Sequence, residues 1–315
     1  MKILLLGRDG QVGWELQRSL APLGQVVALG RDASQNPGGL CGDLTQLDGL
    51  AHTVRAVKPA VIVNAAAHTA VDRAEAEAEL AHSLNALAPA VLAAEAQSLG
   101  AWVVHYSTDY VFDGSGDTPW REDAVTAPLS VYGRTKRDGE LAVAQCRRHL
   151  IFRTSWVYAA RGGNFAKTMV RLAQQRETLQ VINDQYGAPT GADLIADVTA
   201  HAIRQVMRPT PDGGYADTLA DALAGTYHLA AAGETTWFEY AKYVLDRVKQ
   251  AQPAIQLIAK NVLPVASSAF VTAAQRPLNS RLDTRKLLNT LGLELPQWQS
   301  GVARMLSEAD LASMR

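Results

Sequence analysis

Short apolar segments alternate with longer amphipathic segments over the first half of the chain, and this alternation most constrains its fold. The predicted strands cover residues 2–6, 25–29, 60–64, 101–107 and 149–154. The predicted helices between them cover residues 11–23, 47–57, 73–99 and 130–146. Strands without a polar face, separated by helices, are typical of a parallel sheet covered on both sides. We therefore predict an α/β fold: a doubly wound, Rossmann-type parallel sheet with a second, smaller α/β region.

The length of 315 residues suits about two domains of ordinary size. Residues 1–155 are predicted to form the sheet domain, and segments near 181–208 are predicted to return to it. Residues 209–315, with a contribution from 156–180, are predicted to form mainly the second region. Residues 208–214 contain two prolines and two glycines, which is typical of a linker.

Charge and composition exclude several classes of protein. The chain has 30 basic and 31 acidic side chains, a formal net charge of −1, whereas proteins that bind nucleic-acid polymers usually carry a basic excess. Its two cysteines, Cys41 and Cys146, are too few for a disulfide scaffold or a multi-cysteine zinc site. No apolar run reaches the length of a membrane span. We expect a soluble, cytoplasmic protein with neither a nucleic-acid polymer nor a membrane as partner.

A glycine-rich turn follows the first predicted strand and precedes the first predicted helix. Its pattern is Gly-x-x-Gly-x-x-Gly, at Gly7, Gly10 and Gly13. In such a turn, backbone N–H groups approach a pyrophosphate, and the helix N-terminus adds partial positive charge. The turn predicts a dinucleotide site that includes Gln11 and Val12, with an ordinary glycine-rich turn as the alternative.

The end of the second predicted strand bears on the choice of cofactor. An acidic residue there would bind the 2′-hydroxyl of NAD, whereas an arginine would accommodate the 2′-phosphate of NADP. Gly30 leaves room for a phosphate and Arg31 supplies charge, while Asp32 is the counter-argument. The sequence therefore favours NADPH over NADH. Further along, Asp43 and Leu44 are candidates for the adenine side, although Asp43 suits a loop or a helix cap equally well.

Three residues form a candidate catalytic group. Thr108 follows the fourth predicted strand, and Tyr132 and Lys136 lie on the next predicted helix, on one face because they are four residues apart. A neighbouring ammonium favours the phenolate and lowers the pKa of a tyrosine. The pair therefore suits a general acid that protonates a carbonyl oxygen, with Thr108 completing the hydrogen bonds. Tyr132 and Lys136 are also candidate cofactor-binding residues, with Lys136 placed to hold the nicotinamide ribose. An exposed Tyr–Lys pair without a function is the alternative.

The sequence resembles the extended short-chain dehydrogenases/reductases and, within them, the dTDP-4-dehydrorhamnose reductases. The resemblance covers nearly the whole chain. It is carried by residues 7–16, 61–72, 105–112, 131–136, 152–158, 165–168, 181–192 and 276–283.

The resemblance implies a role for each matching residue and a reaction. The reaction is hydride transfer from NADPH or NADH to the C4 ketone of dTDP-4-dehydro-L-rhamnose, with Tyr132 as proton donor. Core packing remains the alternative for Trp156, and a structural role remains open for His68. The implied contacts are Gly10, Gln11 and Val12 with the cofactor phosphates, Asp43 and Leu44 with adenosine, Ala67, His68 and Thr69 beside the cofactor, Lys136 with Tyr132, and Thr108, Asp109 and Trp156 with the sugar nucleotide.

The resemblance also implies a homodimer and Mg²⁺. Glu15 resembles a carboxylate that the family uses for the metal, whereas Asp193 stands where a glutamate is expected, and its shorter reach favours an ordinary solvated carboxylate. Arg276 lies in a segment that suggests a loop contacting the diphosphate, although a surface turn would have the same sequence.

Other functions of the same fold need different sets of residues. A sugar-nucleotide 4,6-dehydratase needs a second carboxylate after Asp109, and Tyr110 stands there. An NAD-dependent nucleotide-sugar 4-epimerase remains open, since Thr, Tyr and Lys suffice for hydride removal and return. A non-catalytic NADP-binding regulatory subunit is disfavoured, because Tyr132 and Lys136 are both present.

Overall fold

A computed structural model of the chain describes residues 1–208 and 222–309. The predicted linker at 208–214 lies outside these residues except for Arg208. The described strands are β1 (Lys2–Leu6), β2 (Gln25–Leu29), β3 (Val61–Asn64), β4 (Trp102–Thr108), β5 (His149–Thr154), β6 (Val157–Tyr158), β7 (Thr178–Ile182), β8 (Tyr186–Gly187), β9 (Thr190–Gly191), β10 (Gly225–His228), β11 (Thr235–Thr236) and β12 (Asn261–Val265).

Six parallel strands form the central sheet, in the order β10-β5-β4-β3-β1-β2. β1 to β5 are the five predicted strands. β10 comes from the range 209–315, which the sequence assigned mainly to the second region. Its four residues, Gly-Thr-Tyr-His, form no apolar run, so only pairing with β5 identifies them as a strand.

The described helices of more than one turn are α1 (Gln11–Leu20), α2 (Leu47–Val57), α3 (Val71–Ala76), α4 (Ala78–His82), α5 (Ala88–Leu99), α6 (Val131–Val143), α7 (Phe165–Ala173), α8 (Ala192–Val206), α9 (Trp237–Ala251), α10 (Arg285–Leu291) and α11 (Trp298–Glu308). The single helix predicted at 73–99 is instead α3, α4, a π-helical turn at Ser83–Leu87 and α5. Pro89 lies in the first turn of α5, where its missing N–H and fixed φ are tolerated.

Apolar side chains cover both faces of the central sheet. On one face, Leu16 of α1, Ile195 of α8 and Leu287 of α10 pack against the sheet. On the other face, α2, α5 and α6 contribute buried residues such as Leu92 and Val143. The fold-class prediction, a doubly wound parallel sheet, is therefore confirmed.

The second region has its own apolar core. α7, α9 and α11 pack together around Tyr240, Val244 and Val302, and the parallel pair β7–β12 packs beside them. Residues 183–191 contain two short strands, of which β8 pairs with β11 and β9 with β6. In the described part of the chain, no helix combines the length and apolarity needed to cross a membrane.

Candidate active site

A cleft of about 580 Å³ opens at the carboxyl ends of the central strands. Parallel α/β sheets bind ligands at this edge, because the chain turns away there and leaves a crevice. The cleft is lined by Gly7, Gly10, Gln11, Val12, Asn64, Ala65, Ala66, Ala67, Thr69, Val71, Tyr106, Ser107, Thr108, Asp109, Tyr110, Tyr132, Lys136, Thr154, Ser155, Trp156, Val157 and Trp237.

The glycine-rich turn lies against the end of β3 with no room for side chains. Gly7 has φ +84°, and a Cβ there would lie 2.7 Å from Ala66 N. A Cβ on Gly13 would lie 2.0 Å from the carbonyl oxygen of Gly7. α1 then begins at Gln11, and its N-cap, Gly10, supplies no side-chain cap for the first N–H groups. These features fit a pyrophosphate held by backbone N–H groups.

Unpaired polar atoms at the cleft also fit a polar ligand. Within residues 1–208 and 222–309, Ser107 Oγ, Thr154 Oγ1 and Gln11 Oε1 are buried and have no hydrogen-bond partner. Buried polar groups are nearly always paired in native proteins, so a bound ligand or water would satisfy them. Thr154 and Ser155 were not predicted as site residues, although their position at the carboxyl end of β5 could have indicated them.

Of the predicted segment 67–69, two residues line the cleft and one does not. Ala67 and Thr69 belong to the lining. The His68 side chain is buried, its Nε2 lies 3.0 Å from Glu77 Oε2, and its backbone N–H donates to Asn85 Oδ1 at 2.8 Å. Its contacts are those of a structural histidine.

Besides Gly13 of the turn, three other predicted cofactor residues lie outside the lining of the cleft. Arg31 is exposed, two residues after the end of β2. Leu44 is buried in the core between the sheet and α2. Asp43 Oδ1 accepts the N–H of Thr45 at 3.0 Å, as in a turn. Arg31 is thus available to a ligand, whereas the other two side chains are held by contacts with nearby residues.

The three predicted catalytic residues meet in the cleft. Thr108 ends β4, and α6 places Tyr132 and Lys136 one turn apart. The Ser130 hydroxyl accepts the N–H of Gly133 at 3.2 Å and so fixes the start of α6. Burial raises the pKa of Tyr132 to about 12, and the charge of Asp109 acts in the same direction, while a hydrogen bond with Thr108 opposes them.

The ammonium of Lys136 does not have the predicted effect on Tyr132. Its Nζ donates to the carbonyl oxygen of Tyr106 at 2.6 Å and lies 3.3 Å from His105 Nε2. Burial lowers the pKa of Lys136 to about 8. Tyr132 therefore stays a neutral phenol at pH 7, because desolvation is the largest influence on its pKa. His105 was not predicted, since nothing in the sequence places it against Lys136.

Trp156 reaches the cleft through an unusual backbone conformation. Its φ is +49°, in the left-handed region that L-residues rarely adopt. Its ring stacks on Trp237, with centroids 3.6 Å apart. A Cβ on Gly187 would lie 2.8 Å from the Trp156 ring, so the glycine leaves the space that the ring occupies. Trp237 was missed, because its partner is distant in the sequence.

A second cavity of about 840 Å³ adjoins the cleft, and Tyr110 and Trp237 line both. Arg276 lines this second cavity. Its guanidinium binds Asp72 at 2.7 and 3.2 Å, and this hydrogen bond lowers the pKa of the Asp72 carboxyl. The predicted Arg276 loop therefore faces a cavity continuous with the predicted catalytic residues.

Asp109 lies beside Thr108, which donates to its Oδ1 at 3.0 Å. Burial raises the pKa of Asp109 to about 6, although hydrogen bonds with Ser280 and Thr108 oppose this rise. A carboxylate with so little solvent is costly to keep charged unless a ligand donates to it.

The surroundings of Glu15 and Asp193 do not fit Mg²⁺. Glu15 accepts from Arg18 Nε at 3.4 Å. Asp193 Oδ1 accepts the N–H of Leu194 at 2.9 Å, and Oδ2 lies 3.9 Å from Arg304. No group of three or more His, Cys, Asp or Glu side chains that could hold a metal occurs in the part of the chain that the structure describes.

Comparisons with known proteins identify the family of the chain. A family model described as the RmlD substrate binding domain matches residues 1–311. The chain is 55% identical over 309 residues to the dTDP-4-dehydrorhamnose reductase of Salmonella typhimurium, covering 98% of each chain. The crystal structure of a dTDP-4-dehydrorhamnose reductase from Clostridium acetobutylicum has a TM-score of 0.82 at 33% identity, covering 96% of this chain and 98% of that one.

The enzyme of the same name from Bacillus anthracis, solved in complex with NADP, has a TM-score of 0.80 at 32% identity, covering 96% of this chain and 98% of that one. Family model, sequence and structure thus lead to one assignment and confirm the resemblance found in the motifs. The chain belongs to the family of dTDP-4-dehydrorhamnose reductases.

Proposed function

We propose that this protein reduces the C4 ketone of dTDP-4-dehydro-L-rhamnose to dTDP-L-rhamnose with NADPH, using Tyr132 as general acid. One observation carries the proposal: a single cleft joins the glycine-rich turn to Thr108, Tyr132 and Lys136. A reductase needs this juxtaposition, because the dinucleotide and the proton donor must act on the same carbonyl group. The relatives' names supply the substrate class.

The chain's own residues would hold the dinucleotide at the turn and along the cleft. Backbone N–H groups from Gly10 to Val12 would bind the pyrophosphate, and Ala67 and Thr69 would flank the dinucleotide. The bound cofactor supplies the hydride. A side chain at Gly7 or Gly13 would collide with neighbouring backbone, so this conformation of the turn needs glycine at both positions.

Tyr132 would deliver the proton to the developing C4 oxygen. A phenol with a pKa near 12 keeps its proton at neutral pH and therefore starts in the donor form. The Thr108 hydroxyl would orient the phenol. Lys136 would stabilise the phenolate left after transfer, because a buried cation favours a nearby anion.

The sugar nucleotide would extend from the cleft into the second cavity. Thr108, Asp109 and Trp156 would contact the sugar, and Arg276 would contact the diphosphate. Arg276 is already oriented by Asp72, so little side-chain freedom is lost when an anion binds. This arrangement uses the continuity of the two cavities at Tyr110 and Trp237.

NADPH is the proposed cofactor because of the residues after β2. Arg31 is exposed there, and the Asp32 carboxylate accepts from the backbone and hydroxyl of Ser34 at 3.0 and 2.7 Å. Asp32 is thereby engaged in its own turn. The B. anthracis enzyme was solved with NADP. The homodimer and the cytoplasmic location stay predictions.

The test is oxidation of NADPH in the presence of dTDP-4-dehydro-L-rhamnose, repeated with NADH and with EDTA. We expect stoichiometric NADPH consumption, slower consumption with NADH, and no effect of EDTA. Absence of oxidation with both cofactors would overturn the proposal. Interconversion of C4 epimers with recycling of tightly bound NAD⁺ would indicate an epimerase instead.

A further inference from the structure

A buried chain of polar side chains runs from the end of β3 to Lys136. Asn64 and His105 are each 1% exposed, and Lys136 is 2% exposed. Asn64 Nδ2 lies 3.3 Å from His105 Nδ1, and His105 Nε2 lies 3.3 Å from Lys136 Nζ. Both ring nitrogens of His105 are therefore engaged away from water.

At one end of this chain of side chains, the backbone fixes the directions of the hydrogen bonds. The N–H of Ala66 donates to Asn64 Oδ1 at 3.2 Å, which turns the amide nitrogen of Asn64 toward the ring. That nitrogen can only donate, so His105 Nδ1 must accept. Burial holds the pKa of His105 well below its usual value, and a charged Lys136 lowers it further, so the ring is neutral whether or not Lys136 is protonated and has one N–H. While the Asn64 amide keeps this orientation, the N–H must be on Nε2 and point at Lys136.

An Nε2–H needs a lone pair on Lys136 Nζ, which only the neutral amine has. When Lys136 is an ammonium, its Nζ donates to Nε2 and the ring N–H moves to Nδ1. The amide nitrogen of Asn64 and Nδ1 of His105 would then both be donors and would face each other. The amide must therefore rotate, and the hydrogen bond from the N–H of Ala66 to Asn64 Oδ1 is lost. The tautomer of His105, the orientation of Asn64 and the charge of Lys136 are thereby coupled.

Other groups around Lys136 act in both states. The carbonyl oxygen of Tyr106 accepts from Nζ whether or not the amine is protonated. Glu140, one turn further along α6, raises the pKa of Lys136, and Arg153 of β5 binds Glu140 at 2.7 and 2.9 Å. Tyr132 lies on the same helix face. The neutral imidazole of His105 can present either an acceptor or a donor to Nζ at Nε2 without changing its own charge.

We propose that His105 is a positioning residue for Lys136, which accepts from the ammonium or donates to the amine by changing tautomer, with Asn64 rotating in step. The inference rests on the proposed function, because it assigns a role through Lys136 in carbonyl reduction. It adds a residue outside the Thr108, Tyr132 and Lys136 group. The expected consequence is that Lys136 loses a proton without leaving an unpaired donor in the protein interior.

The direct test is ¹⁵N NMR of histidine-labelled protein saturated with NADP⁺, titrated from about pH 6 to 9. The chain has seven histidines, and the signals that His105→Gln removes identify the ring. We expect His105 to remain neutral while its N–H moves from Nδ1 at low pH to Nε2 at high pH. A tautomer that does not change, or a ring that becomes an imidazolium near pH 6.5, would overturn the proposal. This readout needs no substrate, so it stands if the proposed substrate is wrong.

Variants test the effect on catalysis. His105→Phe removes one of the two acceptors described for the buried ammonium, so kcat should fall about tenfold or more and the alkaline limb of its pH profile should move to lower pH. His105→Gln keeps an acceptor oxygen and should recover most of kcat. His228→Gln is the control, since His228 is fully buried on β10 beside Phe112. A His105→Phe profile like that of the wild type, or losses equal to those of the control, would refute the role.

Discussion

The two sides of the cleft are built in different ways. On the cofactor side, backbone atoms and glycines from neighbouring segments form the surface, as where Gly7 and Gly13 meet. On the substrate side, side chains from distant segments form it. Asp72 and Arg276, for example, are 204 residues apart in sequence.

This difference predicts different responses to mutation. A substitution on the cofactor side adds atoms where backbone already stands, so its effect should be abrupt. A substitution on the substrate side removes one of several contacts, so its effect should be graded. The two sides meet at the catalytic residues, where a substitution should prevent the transfer of a single proton.

The largest effect is expected at that meeting point. Tyr132→Phe removes the proton donor and should lower kcat by about 10²–10⁴-fold, the usual contribution of a general acid. Binding of NADPH, measured by fluorescence, should change little. Tyr110→Phe is the control, because Tyr110 lies edge-on to Tyr132 in the same cleft. Equal losses in the two variants, or an unchanged rate in Tyr132→Phe, would remove the assignment.

On the cofactor side, Gly13→Ala should weaken NADPH binding by about 100-fold or more. The added Cβ would lie 2.0 Å from the Gly7 carbonyl oxygen, so the turn must shift and the backbone N–H groups lose their alignment. Isothermal titration calorimetry measures the loss. Gly163→Ala serves as control, because its Cβ would meet nothing within 4 Å. Retention of wild-type affinity in Gly13→Ala would show that the turn is not the phosphate site.

Asp109 lies where the two sides meet, and the effect of its buried carboxyl can be measured through the stability of the protein. The folded protein holds its proton up to about pH 6, whereas the unfolded carboxyl loses it near pH 4. Stability from this group is therefore lost as pH rises from about 4 to 6. Asp109→Asn should raise the free energy of unfolding by about 2–3 kcal/mol at pH 7.5 and by little at pH 4.

Thermal denaturation at the two pH values measures this difference. Asp113→Asn is the control of opposite sign, since hydrogen bonds with Ser115 lower the pKa of the Asp113 carboxyl. The same gain in Asp109→Asn at both pH values would mean that packing, and not charge, is responsible. A gain in stability with a loss of activity would show that the buried charge of Asp109 destabilises the fold but is needed in the active site.

How far the sequence predicted the molecule follows the same division. β1, β2 and β5 were predicted to the residue, because their apolar runs are local and are bounded by polar or glycine residues. β10 was missed, since a half-polar strand of four residues is recognisable only from its pairing with β5.

The candidate site divides likewise. Strand ends and helix spacing sufficed to bring Thr108, Tyr132 and Lys136 together, because both are local properties of the chain. Trp237 and His105 could not be found in this way. Each acts through a partner that packing brings near, and no spacing rule connects residues of separate elements.

A graded effect is expected on the substrate side. Arg276→Ala removes one charged donor from the second cavity and should raise KM for the sugar nucleotide about tenfold, with kcat and NADPH affinity little changed. Steady-state kinetics separate these terms. Asp72→Asn leaves the guanidinium in place but weakens its orientation, so its effect should be smaller. A loss confined to kcat in Arg276→Ala would contradict a binding role.

The smallest effect is expected at Arg31, the exposed end of the cofactor side. A solvated ion pair contributes about 0.2–1 kcal/mol, so Arg31→Ala should reduce the preference for NADPH over NADH by only a few-fold. The contribution should shrink at high salt, since exposed charges are screened. Comparing kcat/KM for both cofactors at low and high salt measures it, with Arg31→Lys as the charge-preserving control. A preference that Arg31→Ala leaves intact would point instead to Arg8, whose guanidinium would lie 3.2 Å from a Cβ on Gly30. The cofactor side would then discriminate through its rigid turn and not through a mobile surface charge.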